Sequence, residues 1–233
     1  MHDVFGKALI DYQNGKYTED IITISSVAGI DLMTLPYLFR SYDKMPAIEQ
    51  TALNLCKGSV LDVGCGSGSH SLHLQKKNHT VKAIDISRGA IEVSRLRGVK
   101  NAIVKNIYDL EDEKFNTILL LMNGVGICGK INNLNFFLDH LKSLLFTNGQ
   151  ILLDSSNIIY MFDKKEDYIV KNDNYNGEVT YTMEYKNKES KPFDWLFLDF
   201  DTLQKYAHKI GLKCELVIEG EHYDYLAKLT MQE

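Results

Sequence analysis

The run Val60-Leu61-Asp62-Val63-Gly64-Cys65-Gly66-Ser67-Gly68-Ser69 constrains this chain more than any other stretch. Residues 60–63 are mostly apolar, as a strand covered on both faces must be. Gly64, Gly66 and Gly68 then permit a tight turn whose backbone can lie against a ligand, because no Cβ stands in the way. Ser67 and Ser69 suit the N-cap of a following helix. The free N–H groups and positive dipole end of such a helix favour an anion, either a phosphate or a carboxylate.

The glycine spacing narrows the ligand. A dinucleotide fingerprint reads G-x-G-x-x-G, whereas here the spacing is G-x-G-x-G and residue 69 is Ser. Asp62, two places before the first glycine, is poorly placed for a pyrophosphate and well placed for a cation. S-adenosylmethionine (SAM) carries an ammonium, a sulfonium and a carboxylate, and suits an acid beside a helix N-terminus. In these residues the sequence resembles the class I SAM-dependent methyltransferases, whose first motif has the form acidic-x-G-x-G-x-G. Residues 62–68 match it throughout. The string MPAIEQTAL before the strand, with the later LLLMNGVG and LLLDSS, is similar to an uncharacterised bacterial subgroup of that superfamily. The competing reading is a structural glycine turn in another α/β domain.

Bulk properties set the class. A length of 233 residues fits one α/β domain with additions. Contents of 45% hydrophobic and 24% charged residues are those of an ordinary soluble protein. The formal charge of −5 disfavours a nucleic-acid surface, which needs clustered Lys and Arg. Cys56, Cys65, Cys128 and Cys214 are far apart with no C-x-x-C pair, which reads as reduced intracellular thiols. No apolar run reaches about 18 residues, and the first residues carry acids and lack a signal-peptide core. A cytoplasmic protein without a membrane partner is expected. His70 and His73 have no further ligands at metal spacing, so no metal site is expected and a packing or surface role is assigned to both.

In chain order, residues 1–45 precede the core and are expected to form a helical, lid-like segment. Phe5, Leu9, Ile10 and Tyr12 give it one apolar helix face, and the aromatic run 32–42 is either a lid over a ligand or a segment packed on the sheet edge. Pro46 opens a helix carrying Ile48, Ala52, Leu55 and Cys56. After the glycine turn and its helix, a second strand over 81–85 ends in Asp85, about 20 residues beyond Gly64, the spacing at which a carboxylate accepts hydrogen bonds from ribose hydroxyls. Further strands are predicted at 101–106, 115–121 and 150–154, with helices at 88–97 and 131–145. Asn148-Gly149 is taken as the stop of the second of these helices. The stretch 163–177 is charged and irregular. Alternating residues at 179–185 and the run 193–200 predict an aromatic hairpin inserted at about 176–200. It serves either substrate specificity or sheet packing. A helix over 201–210 and two closing antiparallel strands follow.

The resemblance implies a doubly wound α/β fold. Its mostly parallel seven-stranded sheet has order 3-2-1-4-5-7-6, with strand 7 antiparallel and helices on both faces. The methyltransferase domain is placed at 46–233. The implied function is methyl transfer from SAM to a small-molecule acceptor, with S-adenosyl-L-homocysteine (SAH) as product. The alternatives are a non-catalytic SAM-binding module or an NAD-linked oxidoreductase. Asp62, Gly64, Cys65, Gly66, Gly68, Asp85, Ile86, Asn106, Ile107 and Asn123 are the implied cofactor-binding residues. Asn106 stands where the family often has an acid for the adenine amino group. Asn123 is either a substrate-orienting side chain or a turn residue. No catalytic residue is identified; Tyr42, His70, Asn123 and Asp154 are the candidates for a base.

Overall fold

The computed structural model describes residues 3–161 and 175–232, so most of the expected irregular stretch 163–177 lies outside the described residues. In chain order the elements are α1 (Val4–Gln13), β1 (Ile21–Ser25), β2 (Gly29–Met33), α2 (Leu35–Leu38), α3 (Ala47–Leu55), β3 (Ser59–Val63), α4 (Ser69–Lys76), β4 (Thr80–Asp85), α5 (Arg88–Leu96) and β5 (Ala102–Val104). There follow β6 (Phe115–Leu120), α6 (Leu134–Ser143), β7 (Leu145–Ser156), β8 (Glu178–Tyr185), β9 (Lys188–Glu189), β10 (Phe193–Leu196), α7 (Phe200–Lys209), β11 (Leu212–Glu219) and β12 (Asp224–Met231).

Seven strands form the main sheet in the order β11-β12-β7-β6-β3-β4-β5. β3, β4, β5, β6 and β7 run parallel, and β12 is antiparallel to both β7 and β11. This is the expected 3-2-1-4-5-7-6 sheet. Its strands are apolar at successive positions because both faces are covered. Ile118, Leu120, Ile151 and Leu153 pack towards α6 and α7, against Phe137, Leu138, Leu141 and Leu203. The intervening Leu119, Leu121 and Leu152 pack towards α3 and α4, against Ile48, Ala52 and Leu74. The period-2 geometry of a strand thus distributes one continuous apolar run between two cores. Among the described residues no helix is long and apolar enough to cross a membrane.

Three local boundaries differ from the sequence expectation. Helix α6 stops at Ser143, and Asn148-Gly149 lies inside the long strand β7, opposite a register irregularity between Phe115 and Thr117. Strand β10 ends at Leu196, because Asp199 accepts the Thr202 N–H at 2.8 Å and so starts α7. Residues before 46 are helical only in part: β1 and β2 form an antiparallel hairpin.

That hairpin is not separate from the aromatic insert. β1 pairs with β8, and β8 with β10, giving a second sheet of order β10-β8-β1-β2, with β9 on β8. One face rests on α1, where Ile21 and Tyr185 join Ala8 and Leu9, and α1 in turn packs on Ala90 and Val93 of α5. Its β10 end is fastened to the carboxyl edge of the main sheet. Asn123 Nδ2 donates to the Leu196 carbonyl at 3.1 Å, and the Leu198 N–H donates to Ser155 Oγ at 2.8 Å. Trp195 lies directly on Gly126, where a Cβ would come 2.0 Å from the indole nitrogen.

Gly126→Ala must therefore push Trp195 away from the main sheet. The expected loss is roughly 1–3 kcal/mol, the range for overpacking. Urea unfolding followed by fluorescence measures it, and the shift is legible because Trp195 is the only tryptophan. An unchanged midpoint and emission maximum would contradict this packing.

Candidate functional site

The carboxyl end of β3 leads into the glycine turn. Gly64, Gly66 and Gly68 take φ of +72°, +53° and +83°, values that disfavour any side chain. The Gly64 and Cys65 N–H groups both donate to the Ile84 carbonyl, at 2.9 and 3.0 Å, which seats the turn against β4. Asp85 at the end of β4 completes the joint. Its Oδ2 accepts the Gly66 N–H at 3.0 Å and its Oδ1 accepts the Ser87 N–H at 2.8 Å. Burial pushes the Asp85 carboxyl up to about 6, against these two hydrogen bonds, which favour the charged form. Beside it Ile86 is 73% exposed, an apolar side chain left open at the carboxyl edge of a parallel sheet. Such edges are where α/β proteins bind ligands.

The other implied residues are placed differently. Asp62 is 2% exposed and accepts the Ser71 hydroxyl at 2.5 Å. Burial raises its carboxyl, opposed by the His70 charge and the Ser71 hydrogen bonds. It therefore lies behind the turn and positions α4. Cys65 turns its thiol into a cluster with Ala83, Ile91, Val99 and Ala102. Asn106 Oδ1 accepts the Tyr108 N–H at 3.1 Å and caps the 3-10 turn that follows. Ile107 is buried in the main core. Asn123 sits in the left-handed region, with Oδ1 accepting from Ser155 Oγ at 2.8 Å and Nδ2 engaged with Leu196, so both ends of its amide are occupied. Neither Ser67 nor Ser69 caps α4. Gly68 is the N-cap residue, and both serine hydroxyls donate to the Leu38 carbonyl.

Leu38 belongs to the aromatic run expected either to cover a ligand or to pack on the sheet edge. The aromatic run 35–42 lies against the glycine turn, held by those two serines and by Arg97, which donates to the Ser67 carbonyl at 2.8 Å and the Phe39 carbonyl at 3.3 Å. Beneath it is a buried ionic trio. Arg40 pairs with one oxygen of Glu49, and His70 Nε2 lies 2.8 Å from the other. Burial alone would raise the Glu49 carboxyl, but His70 and Arg40 outweigh it and hold the group below its ordinary range. His70 is thus neither a surface nor an apolar packing residue. No sequence signal links positions 40, 49 and 70; an Arg in a loop and a Glu in a helix otherwise read as solvated.

A second carboxylate, Asp154, lies near the carboxyl end of β7, across β3 and β6 from Asp85. Asp154 Oδ2 accepts the Met122 N–H at 3.0 Å and Oδ1 accepts the Gly124 N–H at 3.2 Å. Burial lifts its carboxyl to about 7, with the Gly124 hydrogen bond opposing and the Glu49 charge adding. The Tyr37 hydroxyl is also raised, by burial first, with Arg40 opposing and Glu49, Asp154 and Asp224 contributing. Asp154 thus ties the loop after β6 to β7 at the carboxyl edge, and the Tyr37 ring lies under the Arg40 guanidinium, which is 3.8 Å from the ring centroid. Of the other base candidates, Tyr42 is stacked on His73 at 4.0 Å with its hydroxyl accepting from Asn54 Nδ2 at 2.8 Å. Among the described residues no group of three or more His, Cys, Asp or Glu is arranged to hold a metal.

Comparison with known proteins gives this edge a context. A family model described as a methyltransferase domain matches residues 56–211. The chain is similar to a crystal structure of a SAM-dependent methyltransferase from Bacteroides fragilis, solved in complex with SAH. Identity is 43%, coverage is 99% of this chain and 95% of that one, and the TM-score is 0.91. It is 30% identical over 103 residues to a ubiquinone biosynthesis O-methyltransferase of Pelagibacter ubique, a match covering 42% of each chain. The chain thus matches less than half the length of that curated relative. The sugar N-methyltransferase KedS8 from Streptoalloteichus, at 13% identity, TM-score 0.57 and coverage of 80% and 85%, shares the fold alone.

The two raised carboxyls give a titration with a definite sign. Folded-state values of about 6 for Asp85 and about 7 for Asp154 lie above the unfolded value of roughly 3.9. The stability each contributes is fully present below about pH 4 and is lost as pH rises through its folded value. Carbon-13 NMR of aspartate-labelled protein, without ligand, is expected to show two carboxyl carbons titrating near 6 and 7, one vanishing in each single Asp→Asn variant. Both titrating near 4 would refute this description of the edge.

Proposed function

Since the chain belongs to the methyltransferase domain family, we propose that it transfers the methyl group of SAM to a small-molecule acceptor. The observation that carries this reading is the joint between Gly66, Asp85 and Ile86. It offers a carboxylate for a ribose, an open apolar side chain for an adenine face, and a glycine turn without Cβ atoms beside them. These groups fit an adenosyl ligand. Gly64, Gly66, Asp85 and Ile86 would hold it, and α4 presents its N-terminus to the amino-acid end. Asp62 acts from behind, through Ser71, by fixing α4. Asn106, Ile107 and Asn123 border the same edge, and their side chains are committed to capping, core and strand-tying contacts.

When bound, SAM supplies an electrophilic methyl group on a positively charged sulfur. The residues of this chain position and exclude water. The second sheet is fastened to the loop after β6 at Trp195 and Leu196, and the segment that follows it to β7 at Leu198, so it would screen this side of the edge from water. The acceptor lies there, against Met122, Asp154 and Tyr37. Asp154 is assigned as the acceptor-side base on its place beside Met122 and Gly124 at the carboxyl edge, where burial lifts its carboxyl to about 7, the range that suits a general base. His70 is removed from that role by its pairing with Glu49. The division into residues 1–45 and a domain at 46–233 is part of this proposal, with the first segment contributing the Tyr37 wall.

Calorimetry with SAH and NADH side by side tests the reading. SAH is expected to bind and NADH not to, and Asp85→Ala is expected to weaken SAH roughly a hundredfold, the cost of two charge-assisted hydrogen bonds. Binding of NADH alone, or full SAH affinity in the variant, would overturn the assignment.

A further inference from the structure

The N-terminal helix touches the ligand edge in a way that the glycine motif does not require. Asp3 is the N-cap of α1, with Oδ1 accepting the Gly6 N–H at 2.9 Å. The same carboxylate also serves α5. Its Oδ2 accepts the Gly89 N–H at 2.9 Å, and the Ser87 hydroxyl is shared between its two oxygens at 2.9 and 2.8 Å. One side chain thus caps two helices, satisfying donors that each helix would otherwise leave unpaired. The N-cap of the second of those helices, Ser87, lies two residues after Asp85. Ser87 is the link: its N–H holds Asp85, and its hydroxyl holds Asp3.

Two further contacts fix the arrangement. The helices cross where both have glycine. A Cβ on Gly89 would lie 2.5 to 2.6 Å from Gly6 backbone atoms, so no other residue permits this approach. Within the first turn of α1, two residues after Asp3, Phe5 brings its Cζ to 3.8 Å from where a Cβ on Gly66 would stand. Phe5 is only partly buried, which leaves part of its ring facing outward beside the turn.

We propose that α1 is a working part of the nucleoside site, in which Asp3 clasps the loop carrying Asp85 and Phe5 walls the glycine turn at Gly66, so that docking of α1 and binding of the adenosyl ligand reinforce one another. This rests on the reading of the edge as a SAM site. Reciprocity follows from linkage: if seating α1 tightens the ligand, the ligand seats α1 by the same factor.

The test uses the full chain and SAH, and reads binding rather than turnover. Asp3→Ala removes the clasp, and Gly89→Ala wedges the helices apart while adding a residue that α5 itself favours. Each is expected to weaken SAH about tenfold, within the usual range of site coupling. In the unaltered chain, SAH is expected to slow amide exchange across Val4–Gln13 by a similar factor. Wild-type SAH affinity in folded Gly89→Ala, or exchange in α1 indifferent to SAH, would overturn the inference. No SAH binding by the unaltered chain would remove the methyl-transfer reading and this one with it.

Discussion

The Asp85 carboxylate is the interaction on which the functional edge depends. By accepting one N–H from the glycine turn and one from the start of α5, it fixes the ends of two adjacent parallel strands to each other. Without it, Gly66 and Ser87 would each carry a backbone donor with no such partner near the protein interior. The arrangement has an electrostatic cost. A charge held among packed atoms is disfavoured, and two hydrogen bonds offset that only in part, which is why the group titrates above its ordinary range. A carboxylate so placed retains unused lone pairs, and donors from a ligand relieve the burial penalty that the protein alone leaves standing.

Around that joint the chain repeats one device: a polar side chain ties the end of one strand to the start of another element. Asp154 holds Met122 and Gly124, Asn123 joins Ser155 to Leu196, and Ser67 and Ser69 hold Leu38. Loops at the carboxyl edge of a parallel sheet cannot satisfy their own backbone groups by strand pairing. These ties do it instead, and under the proposed methyl transfer they are what would hold two reactants in line. The apolar layers beneath, with Phe137 and Leu138 on one face and Ala52 and Leu74 on the other, supply the stable floor.

Much of this was legible in the sequence, and the limits have physical causes. The glycine turn and the strand ending in Asp85 could be read because each is local: a few φ-positive positions and a short apolar run suffice. The sheet order followed from resemblance to a fold, and the protein has that order. In the second sheet the β8–β10 hairpin was read from its period-2 alternation, and its union with β1 and β2 was not. Its central pairing sets Thr23 against Met183, and no periodicity in either segment specifies a partner so distant in sequence. The ionic trio of Arg40, Glu49 and His70 was hidden for the same reason. Polar residues were the least readable of all. Ser67, Asn106 and Asn123 have side chains whose partners are chosen by tertiary neighbours, so residue type named the capacity to hydrogen-bond and left the use open.

The central claim is that the Gly66–Asp85–Ile86 joint receives an adenosyl ligand at the mouth of an acceptor space bordered by Met122 and Asp154. A crystal structure of this chain with SAH tests it most directly. The account predicts both ribose hydroxyls within about 3 Å of the Asp85 carboxylate, the adenine against Ile86, and the sulfur directed towards Met122 and Asp154. A ligand bound elsewhere, or a ribose with no contact to Asp85, would contradict it.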